Sequence, residues 1–468
     1  MRSGKRSGGY STALVSGLVV FSGFTPVVQA WGAAGHEMIA TIAQIHLHPS
    51  VLPTICALLD VGISASDDPS DLRYKCHLAS VATWADKDRM KMRWSAAMHY
   101  VGAVDDFPRE HCDYPGPQGW AGTRSINVLD ATKNVTRILA EWSGADETHG
   151  SSSSSHYVPP YSSRQTYRRA QGKIPSPLEE EALKFLIHFV GDMHQPLHLT
   201  GRARGGNSIK VRFGNKQSNL HSVWDTSIPT KLIRTVSSNY SHPLPDAYYA
   251  DPESSPYFSL RGSSALELGF ADDYPGYTPP SSAQIESALR GTIYDSLLRR
   301  IMWEGVRERW AVPHQDPTSD EEYSEVDTWG LCPPVSNHSA LSTSNEAPQS
   351  NADYGNSDGA QAALVPHKEP LAIDPDGPLI CPFAWSQPIH TLNCEYIWPA
   401  GVDLQSTDEA EEDTAAAYPS RPKSPLLDLD VPSYMGPLER EMVVEKLIAQ
   451  GGLRLAGILN WLFADWDQ

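Results

Sequence analysis

Apolar residues recur at helical spacing in five stretches of the chain. His36 to Leu59 carries Ile39, Ile42, Ala43 and Ile45 on one side and is predicted as an amphipathic helix interrupted at Pro53. Ile126 to Trp142 is a second candidate. Leu178 to Leu199 has the clearest pattern: three glutamates follow Pro177 where a helix N-terminus favours negative charge, and Leu183, Leu186, Ile187 and Val190 then share one side. Ser281 to Trp310 and Pro437 to Phe463 complete a mainly α set. Between these lie segments with too little apolar content to pack. Gly144 to Pro177 contains five consecutive serines, His314 to Pro378 is polar and proline-rich, and Leu404 to Asp430 is strongly acidic. The helical stretches occur before, between and after them, and no repeat of fixed period is evident. One domain over 31–468 with insertions at about 144–177, 314–378 and 404–430 is therefore expected.

Composition refines this picture. With 40% hydrophobic residues, the 468-residue chain can bury a sizeable core, while 37 Pro and 34 Gly indicate much loop. Residues 1–30 read as a secretory signal: Arg2, Lys5 and Arg6 precede an apolar stretch from Leu14 to Phe24, and Val28-Gln29-Ala30 offers a small-residue cleavage site. The mature chain would then begin at Trp31, outside the cell. A membrane span fits less well, because Ser and Gly interrupt a stretch shorter than the roughly 20 residues a span needs. Six cysteines in an exported chain point to three disulfides, with connectivity left open. Asn134-Val-Thr, Asn239-Tyr-Ser and Asn337-His-Ser are candidate glycosylation sites. The formal charge of −19, or −22 without the three basic leader residues, argues against nucleic-acid binding through a broad basic surface. It leaves room for a site whose positive charge resides in bound metal, since distant surface charges are screened beyond about 8 Å.

Histidine and aspartate are natural zinc ligands, and their spacing here is suggestive. In His188-Phe-Val-Gly-Asp192 four-residue spacing stacks both side chains on one helical face, and His198 follows just beyond Pro196. The same spacing recurs in His221-Ser-Val-Trp-Asp225. One such pair is expected by chance about once in a chain of this composition, so the recurrence matters more than either instance. Taken alone, His188 reads equally well as a buried hydrogen-bonded histidine. Asp192 has no Lys or Arg within a turn to pair with on its apolar side, which a buried carboxylate would need. Asp225 could also be a surface carboxylate or a helix cap. Cleavage before Trp31 would free an α-amine able to chelate metal together with its own carbonyl, with His36 in reach; a tryptophan simply packed in the core is the alternative. Asp86, Arg89 and His99 add a carboxylate, a cation and an imidazole. The planar fork of Arg89 suits phosphate, or a salt bridge to Asp86 or Asp88.

Together, Trp31-Gly-Ala-Ala-Gly-His36, Trp84-Ala-Asp86-Lys-Asp-Arg89, His99-Tyr-Val, His188-Phe-Val-Gly-Asp192-Met-His-Gln-Pro-Leu-His198, Gly205-Gly-Asn207 and Asn219-Leu-His221-Ser-Val-Trp-Asp225 resemble the fungal and plant single-strand-specific zinc nucleases, the family of mung bean nuclease. The ordered motifs run from Trp31 to Asp225, and Gly451 to Asn460 looks like the family's last helix. The resemblance implies a helical domain of the kind shared with bacterial zinc-dependent phospholipase C. It also implies three zinc ions: one on Asp86, His99, His188 and Asp192, a second on the amine and carbonyl of Trp31 with His36 and Asp192, a third on His198, His221 and Asp225. Asp86 and Arg89 would then serve catalysis, Tyr100 and Asn207 substrate binding, and Cys112 would pair with Cys381. Cys56–Cys76 and Cys332–Cys394 would be the remaining bonds. Tyr100 could equally pack in the core, and Gly205-Gly206-Asn207 could be a tight turn and nothing more. Gly102 and Ala203 depart from the family, where acids are common. The implied activity is endonucleolytic hydrolysis of single-stranded DNA and RNA to 5′-phosphate products, with 3′-nucleotidase activity, by a secreted monomer without stable membrane association. A phospholipase C, or a non-catalytic zinc-binding surface protein, are the competing readings.

Overall fold

The computed structural model describes residues 31–62, 75–145, 174–243, 282–332, 380–402 and 425–464, apart from 105, 116–118, 123–125, 290–291, 316–321 and 400. The leader and the larger part of each expected insertion lie outside the described residues. Helices dominate. Helix α1 (Ala33–His46) is followed by α2 (Val51–Leu58), so the chain breaks at 47–50 and not at Pro53 as expected. Pro49 is the breaker, because it pushes the preceding residues out of helical geometry. Pro53 falls in the first turn of α2, where the amide it lacks would have no partner anyway.

The short α3 (Trp84–Asp88) leads to α4 (Val128–Ser143), which Asn127 caps by accepting from the amides of Leu129 and Asp130. Helix α5 (Pro177–Met193) opens with a capping box: Ser176 and Glu179 satisfy each other's backbone amides, and Pro177 takes the first position. Next come α6 (Ile228–Thr235), α7 (Ser282–Leu289) and α8 (Asp295–Arg300), the last running into a wider π-type stretch, Ile301–Arg309. Helix α9 (Pro382–Leu392) precedes α10 (Pro432–Arg440) and α11 (Val443–Phe463). The last two were expected as one helix; Met442, at φ 50°, turns the chain between them.

Helices α1 and α11 are buried on nearly every side and pack against each other at the centre, while α4 packs on α5. A Cβ at Gly452 of α11 would lie 2.4 Å from Ile42 Cγ2, so this glycine sets how closely the two central helices approach. Among the described residues no helix is long and apolar enough to cross a membrane.

Two expected insertions reach into ordered structure at their edges. The strands β3 (Pro313–Gln315) and β4 (Glu322–Ser324) form a hairpin, after which Val326 and Trp329 are buried. At the other site Arg212 of β1 (Lys210–Phe213), which pairs with β2 (Lys216–Asn219), exchanges backbone hydrogen bonds with Leu427 and Leu429. Leu427-Asp-Leu-Asp430 alternates at period two, a strand pattern that an acidic window conceals. Of the candidate glycosylation sites, Asn239 is in an exposed turn, Asn134 is half-buried within α4, and Asn337 lies outside the described residues.

Three disulfides are present. Cys56–Cys76 forms as expected, with Cα atoms 5.1 Å apart. The implied Cys112–Cys381 bond is not made, nor is Cys332–Cys394: Cys112 bonds Cys394 and Cys332 bonds Cys381. Cys381 and Cys394 flank opposite ends of α9, on the order of 16 Å apart along its axis, so only one of them can meet a given partner. Arg109 Nη1 donates to Trp398 O at 2.9 Å, holding the Cys112 loop at the Cys394 end. Trp385 Nε1 donates to Leu331 O at 3.0 Å, holding Cys332 at the other.

Candidate metal centre

Three buried groups of donors converge beside α5. His36 stands in the first turns of α1, Asp86 on α3, and His99 at the end of a 3-10 segment, Arg93–His99. His188 and Asp192 stack one turn apart on α5. His198 lies in the short 3-10 turn that Pro196 begins, and Asp225 in a π-type turn just after His221. In each of His36/Asp86/His188, His99/His188/Asp192 and His198/His221/Asp225, the donor atoms lie within 4.8 Å of one another. Asp192 faces several histidines at once: Oδ2 is 2.9 Å from His99 Nδ1 and 3.3 Å from His188 Nε2, and Oδ1 is 3.5 Å from His36 Nε2. His221 Nε2 is 3.2 Å from Asp225 Oδ2. The rings of His36 and His188 stack with centroids 4.0 Å apart.

The hydrogen bonds of these histidines decide which nitrogen faces inward. Nδ1 of His188 donates to Ala82 O (2.8 Å), that of His198 to His99 O (2.6 Å) and that of His221 to Gly205 O (2.6 Å). A carbonyl can only accept, so each Nδ1 carries the proton and each Nε2 keeps its lone pair. Those three Nε2 atoms, both nitrogens of His36 and Asp192 Oδ1 are buried and have no hydrogen-bond partner among the described residues. Apart from the one His36 nitrogen that carries a proton, these are unsatisfied buried lone pairs of nitrogen and oxygen close to one another, the arrangement a divalent cation satisfies. The residues present therefore fit bound metal.

Electrostatics agree. Burial holds His36 well below the ordinary imidazole value, and His188, His198 and His99 push it further; His198 is lowered in the same way, first by burial and then by His221. Burial pushes His99 down to about 4 against the pull of Asp86, with Arg89 adding to the fall, and His221 also to about 4. Burial raises Asp192 well above the carboxylate range; His188 opposes the shift and Asp86 adds to it. Asp225 is raised likewise. Neutral imidazoles are ready to ligate, and a central cation would restore charge to the carboxylates.

From sequence alone Gly191 and Gln195 have no assigned role, and Gly205 reads as a possible tight turn. A Cβ at Gly191 would lie 2.4 Å from His36 Nδ1, so α5 can pass the His36 ring only with glycine there. Gln195 Nε2 donates to Asp225 Oδ1 at 2.5 Å while its Oε1 accepts from Leu197 N, which leaves Asp225 Oδ2 toward His221. Gly205, at φ +61°, brings its carbonyl to His221, and a Cβ there would meet Leu197 O at 2.5 Å. The Gly205-Gly206 element is thus a tight turn that orients a donor. Gln195 and the glycines lie inside the recognised motifs, but only three-dimensional contacts give them roles.

The other expected site residues surround the cluster. Trp31 is fully buried, and the next residue's amide, Gly32 N, donates to Asp225 O at 2.8 Å, tying the start of the described chain to the third group. Arg89 is half-buried and close enough to His99 to influence its protonation. Tyr100 is 54% exposed, which removes the core-packing alternative. Asn207 Nδ2 donates to Arg204 O at 2.8 Å and so closes its own turn. At Gly102 a Cβ would lie 2.5 Å from Gly201 N, so an acid at this position has no room.

The sequence model of the S1/P1 nuclease family matches residues 31–257, the segment that supplies every one of these donors. Over residues 31–257 the chain matches the S1/P1 nuclease family. Among its relatives, nuclease P1 of Penicillium citrinum is 34% identical over 206 residues, covering 43% of this chain and 60% of the relative. Endonuclease 2 of Arabidopsis thaliana is 30% identical over 208 residues, 43% of this chain and 57% of the relative. Nuclease S1 of Aspergillus oryzae is 30% identical over 237 residues, 50% of this chain and 66% of the relative. The chain thus spans about three-fifths of the length of the curated relatives it matches. The fold is mainly helical, as the sequence predicted.

Proposed function

We propose that this protein is a secreted zinc-dependent endonuclease that hydrolyses single-stranded DNA and RNA to 5′-phosphate products and also acts as a 3′-nucleotidase. The observation that carries this reading is the convergence of inward-facing, unprotonated histidine nitrogens on buried carboxylates within the family's own segment. Three zinc ions are proposed. Asp86, His99, His188 and Asp192 would hold one; the freed amine and carbonyl of Trp31, with His36 and Asp192, a second; His198, His221 and Asp225 a third. His188 is common to two of the donor groups, and Asp192 faces His36 as well as His99, in keeping with a closely spaced pair of ions.

When bound, zinc polarises the phosphodiester and lowers the barrier to its attack by water. The chain's own groups arrange the rest. The planar fork of Arg89 would hold two phosphoryl oxygens and balance the charge that develops there. Asp86, at the same edge, would fix the donor set that faces the scissile bond. Tyr100 presents an exposed ring on which an unpaired base can stack, an advantage that a duplex, with its bases hidden, does not share. Asn207 would reach substrate through Oδ1 or its second Nδ2 hydrogen, the first being donated to Arg204 O. No side chain need act as nucleophile. The chain would work as a monomer outside the cell, without stable membrane association.

The test is a digest of matched single- and double-stranded substrates by the protein lacking residues 1–30, with release of phosphocholine from lipid measured in parallel. Preferential release of 5′-phosphorylated products, abolished by chelator and restored by zinc, is expected. Phosphocholine release without nucleotide release would instead establish the phospholipase reading, and neither activity would leave a non-catalytic zinc protein.

A further inference from the structure

Away from the metal centre, a second set of ligand-type side chains meets where the loop of Asp106 and Cys112 joins the end of α9. Cys112 Sγ, Cys394 Sγ and a ring nitrogen of His390 lie within 4.8 Å of one another, and Asp106 Oδ2 is 3.6 Å from His390 Nε2. His390 and Cys394 are four residues apart where α9 runs into the π-type turn Asn393–Ile397, so both project to the same side. Tyr114 stacks on the His390 ring, with centroids 4.5 Å apart. The side chains of Asp106 and His390 are 0% and 1% exposed, yet both carboxylate oxygens and Nε2 have no hydrogen-bond partner among the described residues. The Cys112–Cys394 disulfide accounts for the two sulfurs and leaves these buried polar atoms unexplained.

We propose that Cys112, Cys394, His390 and Asp106 form a redox-gated binding site for one zinc ion, masked as a disulfide in the oxidised protein. Two thiolates, an imidazole and a carboxylate are a tetrahedral zinc set. A dithiol gives two electrons and two protons to the S–S bond, which breaks into two thiols while the dithiol becomes a cyclic disulfide. Zinc then displaces both thiol protons to solvent. The sulfurs need only part from bonding distance to roughly 3.8 Å, the edge of a tetrahedron with Zn–S bonds of about 2.3 Å. Cys112 is exposed and Cys394 half-buried, so a reductant reaches this bond more readily than the fully buried Cys56–Cys76. The consequence is a cross-link between segments 282 residues apart that survives in both redox states: disulfide under oxidising conditions, zinc bridge under reducing ones.

The experiment uses the whole mature protein, reduced with a dithiol, desalted without oxygen and titrated with cadmium, whose thiolate complexes absorb in the ultraviolet. The expected result is a charge-transfer band that saturates at one more ion per chain than the oxidised protein binds, with alkylation mapping showing thiols at 112 and 394 in the metal-free reduced sample. The Cys112→Ser/Cys394→Ser double variant should lack the band. His390→Gln and Asp106→Asn, which should melt like the parent when oxidised, should weaken cadmium binding by at least about tenfold. The proposal is overturned if the reduced parent, with both thiols mapped, shows no band beyond that of the double variant, or if the His390 and Asp106 variants bind as tightly as the parent.

Discussion

At His221 a single proton sets the chemistry: Nδ1 keeps it and donates a hydrogen bond to Gly205 O, so Nε2 presents its lone pair toward Asp225. Gln195 does the corresponding service for Asp225 by occupying one carboxylate oxygen. Partners that orient ligands in this way typically support roughly 10–100-fold in metal affinity or activity. Gln195→Ala should therefore lose activity by about that factor, with zinc affinity falling in step and the melting temperature of the zinc-loaded protein little changed; unaltered zinc affinity would remove this role. Gly191→Ala should act more bluntly, since the added methyl would overlap the His36 ring. Zinc bound per chain, measured by elemental analysis, should drop while helical circular dichroism persists. His188, Asp192, His198, His221 and Asp225 stood out as candidate donors because two His-x-x-x-Asp pairs and a flanking histidine recur, whereas His36, Asp86 and His99 were joined to them by the resemblance. Gly191 and Gln195 were not legible, because their roles depend on contacts with α1 and with the His221–Asp225 segment.

Among the elements, α1 and α11 form the buried pair that holds His36 against α5. Their separation depends on Gly452, which accepts Ile42 where any side chain would collide. Gly452→Ala should cost about 1–3 kcal/mol, as overpacking of a core contact usually does. Denaturant unfolding would show it as a lower midpoint with an unchanged slope, and a neutral result would mean that the helices shift freely. Element type was readable wherever apolar periodicity was long, as in α4 and α5. Boundaries were less so. The break after α1 was assigned to Pro53, although Pro49 makes it, and α10 and α11 were joined because a left-handed Met442 has no signal in composition. The disulfide exchange between Cys381 and Cys394 has a similar origin: sequence order does not say which end of α9 faces Cys112.

For the whole molecule, burial of neutral histidines makes stability depend on pH. His46 and His48, both on the α1 side of the core and away from the donors, are pushed down to about 4 by burial. Unfolded, they would take up protons near their ordinary value of 6.5, so between those limits the unfolded chain binds more protons than the folded one. Their contribution is fully present above pH 6.5 and is lost as pH falls toward 4, each unit of separation being worth about 1.4 kcal/mol. Calorimetry of the chelated protein should show its melting temperature falling across this window, with a shallower fall in His46→Leu; a flat profile would contradict the assignment. The acidic whole, formally −19, remains compatible with a polyanionic substrate only if positive charge is concentrated at the site. The most direct test of that claim is anomalous X-ray scattering at the zinc absorption edge from crystals of the mature protein. Three peaks are predicted, two beside His188 and Asp192 and one enclosed by His198, His221 and Asp225. A zinc-loaded, active crystal without peaks at those donors would contradict the account.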